Sequence, residues 1–136
     1  MTEHARAVFT IKSWDEKPWL QLDGGVKFTR ASVVKSYQGD VTGDASWESL
    51  MYYRADGTAV FTGLERVDGT LAGRRGSFVL QASGEYRDGT ARCEASVVPG
   101  SGSGELRGLR GVLRYAATHA DYPNVSATMD YQFDDS

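Results

Sequence analysis

The chain has one cysteine, Cys93, and three prolines in 136 residues. A lone thiol cannot close an internal disulfide, so the fold has to rest on its core instead of on covalent staples. The two histidines, His4 and His119, are far apart in sequence, and neither stands at a metal-ligand spacing from Cys93. No metal and no other bound cofactor is expected. There is no run of about 18 apolar residues and no secretory h-region, so the chain reads as cytoplasmic, with no membrane as partner. Basic residues are not in excess: 15 Lys and Arg stand against 18 Asp and Glu, a formal charge of -3 with the signs interspersed. Without a basic stripe to neutralise phosphates, nucleic acid is excluded as a natural partner. Familiar catalytic motifs are scarce too. No Ser sits in a nucleophile elbow, and the run Gly100 to Gly104 is not followed by the Lys-Ser/Thr pair of a phosphate-binding loop.

Glycine is plentiful, with 16 residues in the chain. Asp-Gly occurs at 23-24, 56-57, 68-69 and 88-89, and both residue types tolerate the positive φ that tight hairpins need. Gly39-Asp40 with Gly43-Asp44, the stretch 99–104 and the stretch 119–124 add further breaks. Eight segments remain, about 5–14, 27–39, 43–54, 58–67, 75–87, 90–98, 111–118 and 125–133, rich in β-branched and aromatic residues with two-residue alternation. Almost no helix is expected. The sequence therefore predicts an all-β fold: one domain over 5–133, with 1–4 and 134–136 as flexible termini. A single eight-stranded antiparallel up-and-down barrel is the first choice, because closure removes exposed strand edges. A two-sheet sandwich has the same local signature.

The informative chemistry is ionisable residues whose same-face neighbours are apolar. Glu48, Leu50 and Tyr52 share a face of the third segment, as Ala59, Phe61, Gly63, Glu65 and Val67 share one of the fourth. Arg30, Ser32, Val34 and Ser36 share one of the second. If these faces line the interior, Glu48 and Glu65 meet Tyr52 and Arg30 in a confined space. A buried carboxylate must be paired or protonated, and the protonated case would supply a general acid or base. The plain alternative is a carboxylate on the solvated face, held in a cross-strand ion pair. Gly63 marks a place where a ligand or another backbone comes close. Trp47, Met51 and Tyr53 then fall on the opposite face, which makes the outside apolar as well and points to a homo-oligomer. Cys93 alternates with Ala91, Ala95 and Val97, as a small core residue does. Trp14, Trp19 and Trp47 suit either a ligand pocket or the closing of a barrel end.

Several motifs together resemble the bacterial DUF3224 family: Ser13-Trp14-Asp15-Glu16, Thr29-Arg30-Ala31-Ser32-Val33, Leu50-Met51-Tyr52, Gly63-Leu64-Glu65-Arg66, Gly76-Ser77-Phe78-Val79-Leu80-Gln81 and Pro99 to Leu106. The resemblance runs in order from about 5 to 133. It implies an eight-stranded barrel similar to allene oxide cyclase and dirigent proteins. That wider group steers the cyclisation or coupling of reactive, largely apolar substrates without a cofactor and is commonly oligomeric. No catalytic residue of allene oxide cyclase aligns with this sequence.

The expected function is a barrel that binds a small hydrophobic molecule, with cofactor-independent isomerase or cyclase activity as its catalytic form. Glu65 or Glu48 would be acid or base, Tyr52 a donor and Arg30 an electrostatic partner. Trp14, Phe61, Gly63, Phe78, Leu50 and Leu80 would surround the ligand. The alternatives are a non-catalytic carrier or sensor, and a barrel filled by its own side chains. The filled barrel requires that no open cavity above about 300 Å³ exists.

Overall fold

The structure, a computed structural model, describes residues 2–134. It forms a closed barrel in which each strand pairs antiparallel with its sequence neighbour and the last returns to the first. The strands are β1 (Glu3–Gln21), β2 (Lys27–Gly39), β3 (Val41–Tyr53), β4 (Ala59–Leu71), β5 (Arg74–Arg87), β6 (Thr90–Val97), β7 (Leu109–Thr118) and β8 (Asn124–Phe133). Among the described residues helix is confined to two single 3-10 turns, Asp23–Gly25 and Gly104–Leu106. The up-and-down barrel is therefore the fold, and the sandwich is set aside.

Turn chemistry places most hairpins. Asp88 and Gly89 both adopt positive φ, 54° and 76°, as a two-residue hairpin turn requires. Two of the expected breaks are corrected. Asp68-Gly69 and Gly43-Asp44 lie inside β4 and β3, where they face each other across the ladder, and the β4–β5 turn is made by Ala72-Gly73. In these paired positions glycine serves close packing: a Cβ on Gly69 would collide with the Thr42 carbonyl oxygen.

Strand β1 runs seven residues past the expected end. Glu3 to Arg6 pair with β8 and Ala7 to Thr10 with both β2 and β8, but beyond Thr10 only β2 remains beside it. This overhang has one free edge, which tolerates Pro18 and the charged run Asp15 to Lys17 that hid the strand in the sequence. Glu3 and His4, expected in a loose end, pair with Tyr131 and Asp130. Residues 1, 135 and 136 of the expected loose ends lie outside the described residues.

One end of the barrel is sealed. Val41, Leu71, Phe78, Leu106 and Leu109 are all buried there. Beyond Leu80 the first half of β5 has no strand partner in β6, and the segment 98–105 takes that place. Ser103 N donates to the Ser77 carbonyl at 2.8 Å, and Ser101 Oγ accepts from Val79 N at 3.0 Å. The glycine-serine run is thus a substitute strand that delivers Leu106 to the core. At the opposite end, the turns after β3, β5 and β7 surround a mouth.

Candidate functional site: a cavity floored by a buried lysine

From the mouth a cavity of about 600 Å³ runs into the barrel. Small inward residues, Ala59, Ala91 and Ala117, leave the space open near the mouth, and Phe9, Lys35, Trp47, Phe61 and Tyr115 close it below. The barrel is not filled by its own side chains. A larger hollow of about 1250 Å³ follows the outer surface, but it is more open and mixes Leu50 and Tyr52 with charged Glu94 and Arg114. The interior cavity is the better-formed site.

The floor is ionic. Strand β2 turns Thr29, Ala31, Val33, Lys35 and Tyr37 inward, so a lysine sits in the middle of a buried face. Opposite Lys35 on β3 is Ala45, whose methyl leaves the side chain room to cross to β4. Lys35 Nζ donates to Glu65 Oε1 at 2.7 Å, and Tyr37 OH donates to Glu65 Oε2. Both members of the ion pair are buried, at 1% and 3% exposure. Lys35 Nζ also lies 4.2, 4.8 and 5.2 Å from the ring centroids of Phe9, Trp47 and Tyr115, an aromatic cage that favours a cation. Burial, and then the neighbouring Glu65 carboxylate, push the Tyr37 hydroxyl well above its ordinary pKa, so it stays a neutral donor. Burial does the same to Tyr115 and raises the Cys93 thiol beside it. Cys93 is a core residue with its thiol kept protonated, unlike a reactive thiolate.

The mouth is held by a second carboxylate. Trp14 Nε1 donates to Glu16 Oε1 at 2.9 Å, while Thr29 Oγ1 at 2.7 Å and Tyr53 OH donate to Oε2. Burial pulls the Glu16 pKa up, but the hydrogen bonds from Tyr53, Thr29 and Trp14 outweigh it and leave the pKa lowered. On the far rim Tyr86 OH lies 3.2 Å from His119 Nε2.

Of the residues expected around a ligand, Trp14 and Phe61 line the cavity. Phe78 and Leu80 face inward but are fully packed in the core. Gly63 is pressed by backbone, since a Cβ there would strike the Glu48 carbonyl oxygen. Glu65 is inside, yet it is not part of the cavity wall and lies behind Lys35. Four residues are corrected to the outer surface: Arg30, Glu48, Leu50 and Tyr52. Arg30 Nη2 pairs with Glu48 Oε1 at 2.8 Å in solvent, so it is no partner of Glu65. Hydrogen bonds from Ser32 and then Arg30 hold the Glu48 carboxyl below its ordinary range, the reverse of a general acid. Tyr52 stacks on Phe28 with centroids 4.9 Å apart, and Leu50 is 51% exposed. The misplacement has a physical cause: β2 and β3 carry apolar residues on both faces, and the bulk of Trp47 and Met51 takes the inside.

Lys35, Tyr37, Glu16 and the His119–Tyr86 pair are not singled out by the sequence as site residues, and Trp47, weighed there for a pocket but placed on the outer face, lines the cavity from inside. The signal for Lys35 was its place in the series Ala31, Val33, Lys35, Tyr37. Among the described residues no group of three His, Cys, Asp or Glu could hold a metal ion.

The fold and cavity define an all-β, closed eight-stranded barrel, open at one end and floored by a Lys–Glu pair. The family described as Protein of unknown function (DUF3224) matches residues 5–133, and the chain belongs to that family. It is similar to the crystal structure of a DUF3224 protein of unknown function from Shewanella oneidensis MR-1, with 29% identity and a TM-score of 0.81. That similarity covers 99% of this chain and 100% of the other. No curated protein matches. Among the described residues no helix is long and apolar enough to cross a membrane.

Proposed function

We propose that this barrel binds a small, largely apolar molecule in its interior cavity, in the cytoplasm. The observation that carries the reading is an open cavity of about 600 Å³ walled by aromatic rings with one charged side chain at its floor. That volume lies in the ordinary range for small-molecule sites, and the few polar groups give orientation. The unpaired Cys93 suits a reducing compartment.

The finer form of the proposal, suggested by the resemblance to allene oxide cyclase and dirigent barrels, is cofactor-independent isomerisation or cyclisation. Glu65 would then act through Lys35, because it does not line the cavity. That same placement favours the second reading, a non-catalytic carrier or sensor. The test is titration with 2-ethylnaphthalene, followed by tryptophan fluorescence. Saturable binding to the native chain is expected, with at least tenfold loss in Ala117→Trp, which fills the cavity. Equal binding by Ala117→Trp would place the ligand elsewhere and end the proposal.

A further inference from the structure

The floor of the cavity carries two donors short of acceptors, Trp47 Nε1 and Lys35 Nζ, beside the Tyr115 hydroxyl, which can donate or accept. Trp47 is 3% exposed and lines the cavity, and its indole Nε1 is buried without any partner. A buried N–H left unmade is costly, and native folds rarely keep one without reason. The Lys35 ammonium, whose Nζ lies 4.8 Å from the Trp47 ring centroid, has three N–H groups. Among the described residues only Glu65 Oε1 accepts from it, and the ring faces of Phe9, Trp47 and Tyr115 surround it. The neighbouring hydroxyls at the mouth are already engaged, Tyr53 with Glu16 and Tyr86 with His119.

Two donors without a full set of acceptors, at the closed end of an aromatic slot, suit an oxygen acceptor on a flat body, which reaches the occluded Trp47 Nε1 by a shift of the floor side chains. Charge then narrows the class. Lys35 is already neutralised by Glu65, so a carboxylate or phenolate brought to this floor would be a second buried anion without a counterion, which is expensive. A neutral oxygen carries no such cost. Resting on the ligand-binding reading above, we infer that the cavity takes a neutral aromatic or conjugated carbonyl compound, a ketone or quinone, whose oxygen accepts from Trp47 Nε1 and Lys35 Nζ.

Three probes of one shape test this: 2-ethylnaphthalene, 2-acetylnaphthalene and 2-naphthoate, titrated calorimetrically. The ketone is expected to bind about tenfold or more tightly than the hydrocarbon, as hydrogen bonds to a charged donor imply. The carboxylate should bind more weakly than the ketone. Trp47→Phe removes the donor together with part of the ring, so the readout is the ketone's advantage over 2-ethylnaphthalene within the same variant, which should fall several-fold while 2-ethylnaphthalene still binds. Lys35→Met alone strands Glu65, so the paired change Lys35→Met with Glu65→Gln is used, and it should abolish the advantage that Trp47→Phe leaves. Equal affinity for ketone and hydrocarbon would overturn the carbonyl assignment and leave the cavity reading standing. A carboxylate that binds best, or a ketone preference intact in both variants, would overturn it equally. If none of the three binds, the cavity reading falls and this inference with it.

Discussion

At the scale of single residues, the barrel interior is organised by one lysine. A buried ammonium is tolerated only with a counter-charge, and here the counter-charge is held from two sides, by Lys35 and by Tyr37. The pair is therefore expected to be coupled. Removing one member leaves the other as an unpaired buried charge, whereas removing both takes away the need for either. Lys35→Met should cost about 3–5 kcal/mol. The double variant Lys35→Met with Glu65→Gln should cost distinctly less than Lys35→Met alone. Urea unfolding of wild type, the two single variants and the double variant closes the cycle; additive losses would mean that the pair is not coupled in the folded state.

Among the elements, β1 is the one that behaves unlike the rest. Its overhang is held over the mouth by Glu16, which gathers donors from β1 itself, β2 and β3. The folded-state pKa of Glu16 is lowered, so its contribution is fully present above the unfolded carboxylate value of ~4.3 and is lost as pH falls through the folded value. Glu16→Gln should lower stability at pH 7 by about 1 kcal/mol, and the gap to wild type should close in melts taken well below pH 4. A gap that persists unchanged at low pH would mean that the charge of Glu16 is irrelevant to the clamp. The same strand shows where the sequence stops being readable. Hairpins are local chemistry, and Asp88-Gly89 announces its own turn. The overhang depends on β8 ending its pairing at Asn124, a nonlocal fact that no residue between 14 and 21 records. Facing was legible in β4, whose alternation is clean, and it put Glu65 and Phe61 inside. It failed in β2 and β3, where Val34, Leu50 and Tyr52 compete with Val33, Trp47 and Met51. The partner of Glu65 was lost with it, because a lysine on a face reads as solvent until its strand is placed in the barrel.

For the molecule as a whole, closure was readable from strand number and turn spacing, but the cavity was not. Eight strands leave an interior that side chains can fill, and whether they do depends on which small residues meet at one level; here Ala59, Ala91 and Ala117 meet near the mouth. The correction of facing also moves the apolar outer surface. Among the exposed apolar side chains, Val34, Leu50 and Leu64, at 42%, 51% and 55% exposure, stand on adjoining strands β2 to β4. Phe28 stacked on Tyr52 extends this face, and the Arg30–Glu48 pair lies within it, Arg30 opposite Leu50 and Glu48 opposite Leu64. Soluble monomers seldom leave such residues grouped together, and a second copy of the chain, presenting the same apolar side chains around the same ion pair, is the matching cover in a two-fold interface. We propose self-association through this face. Sedimentation velocity at tens of micromolar should show a dimer or larger species for the native chain, and Leu50→Glu with Leu64→Glu should return it to a monomer without loss of 2-ethylnaphthalene binding. A native chain that sediments as a monomer would remove the proposal. An oligomer unaffected by the two glutamates would move the interface to another face.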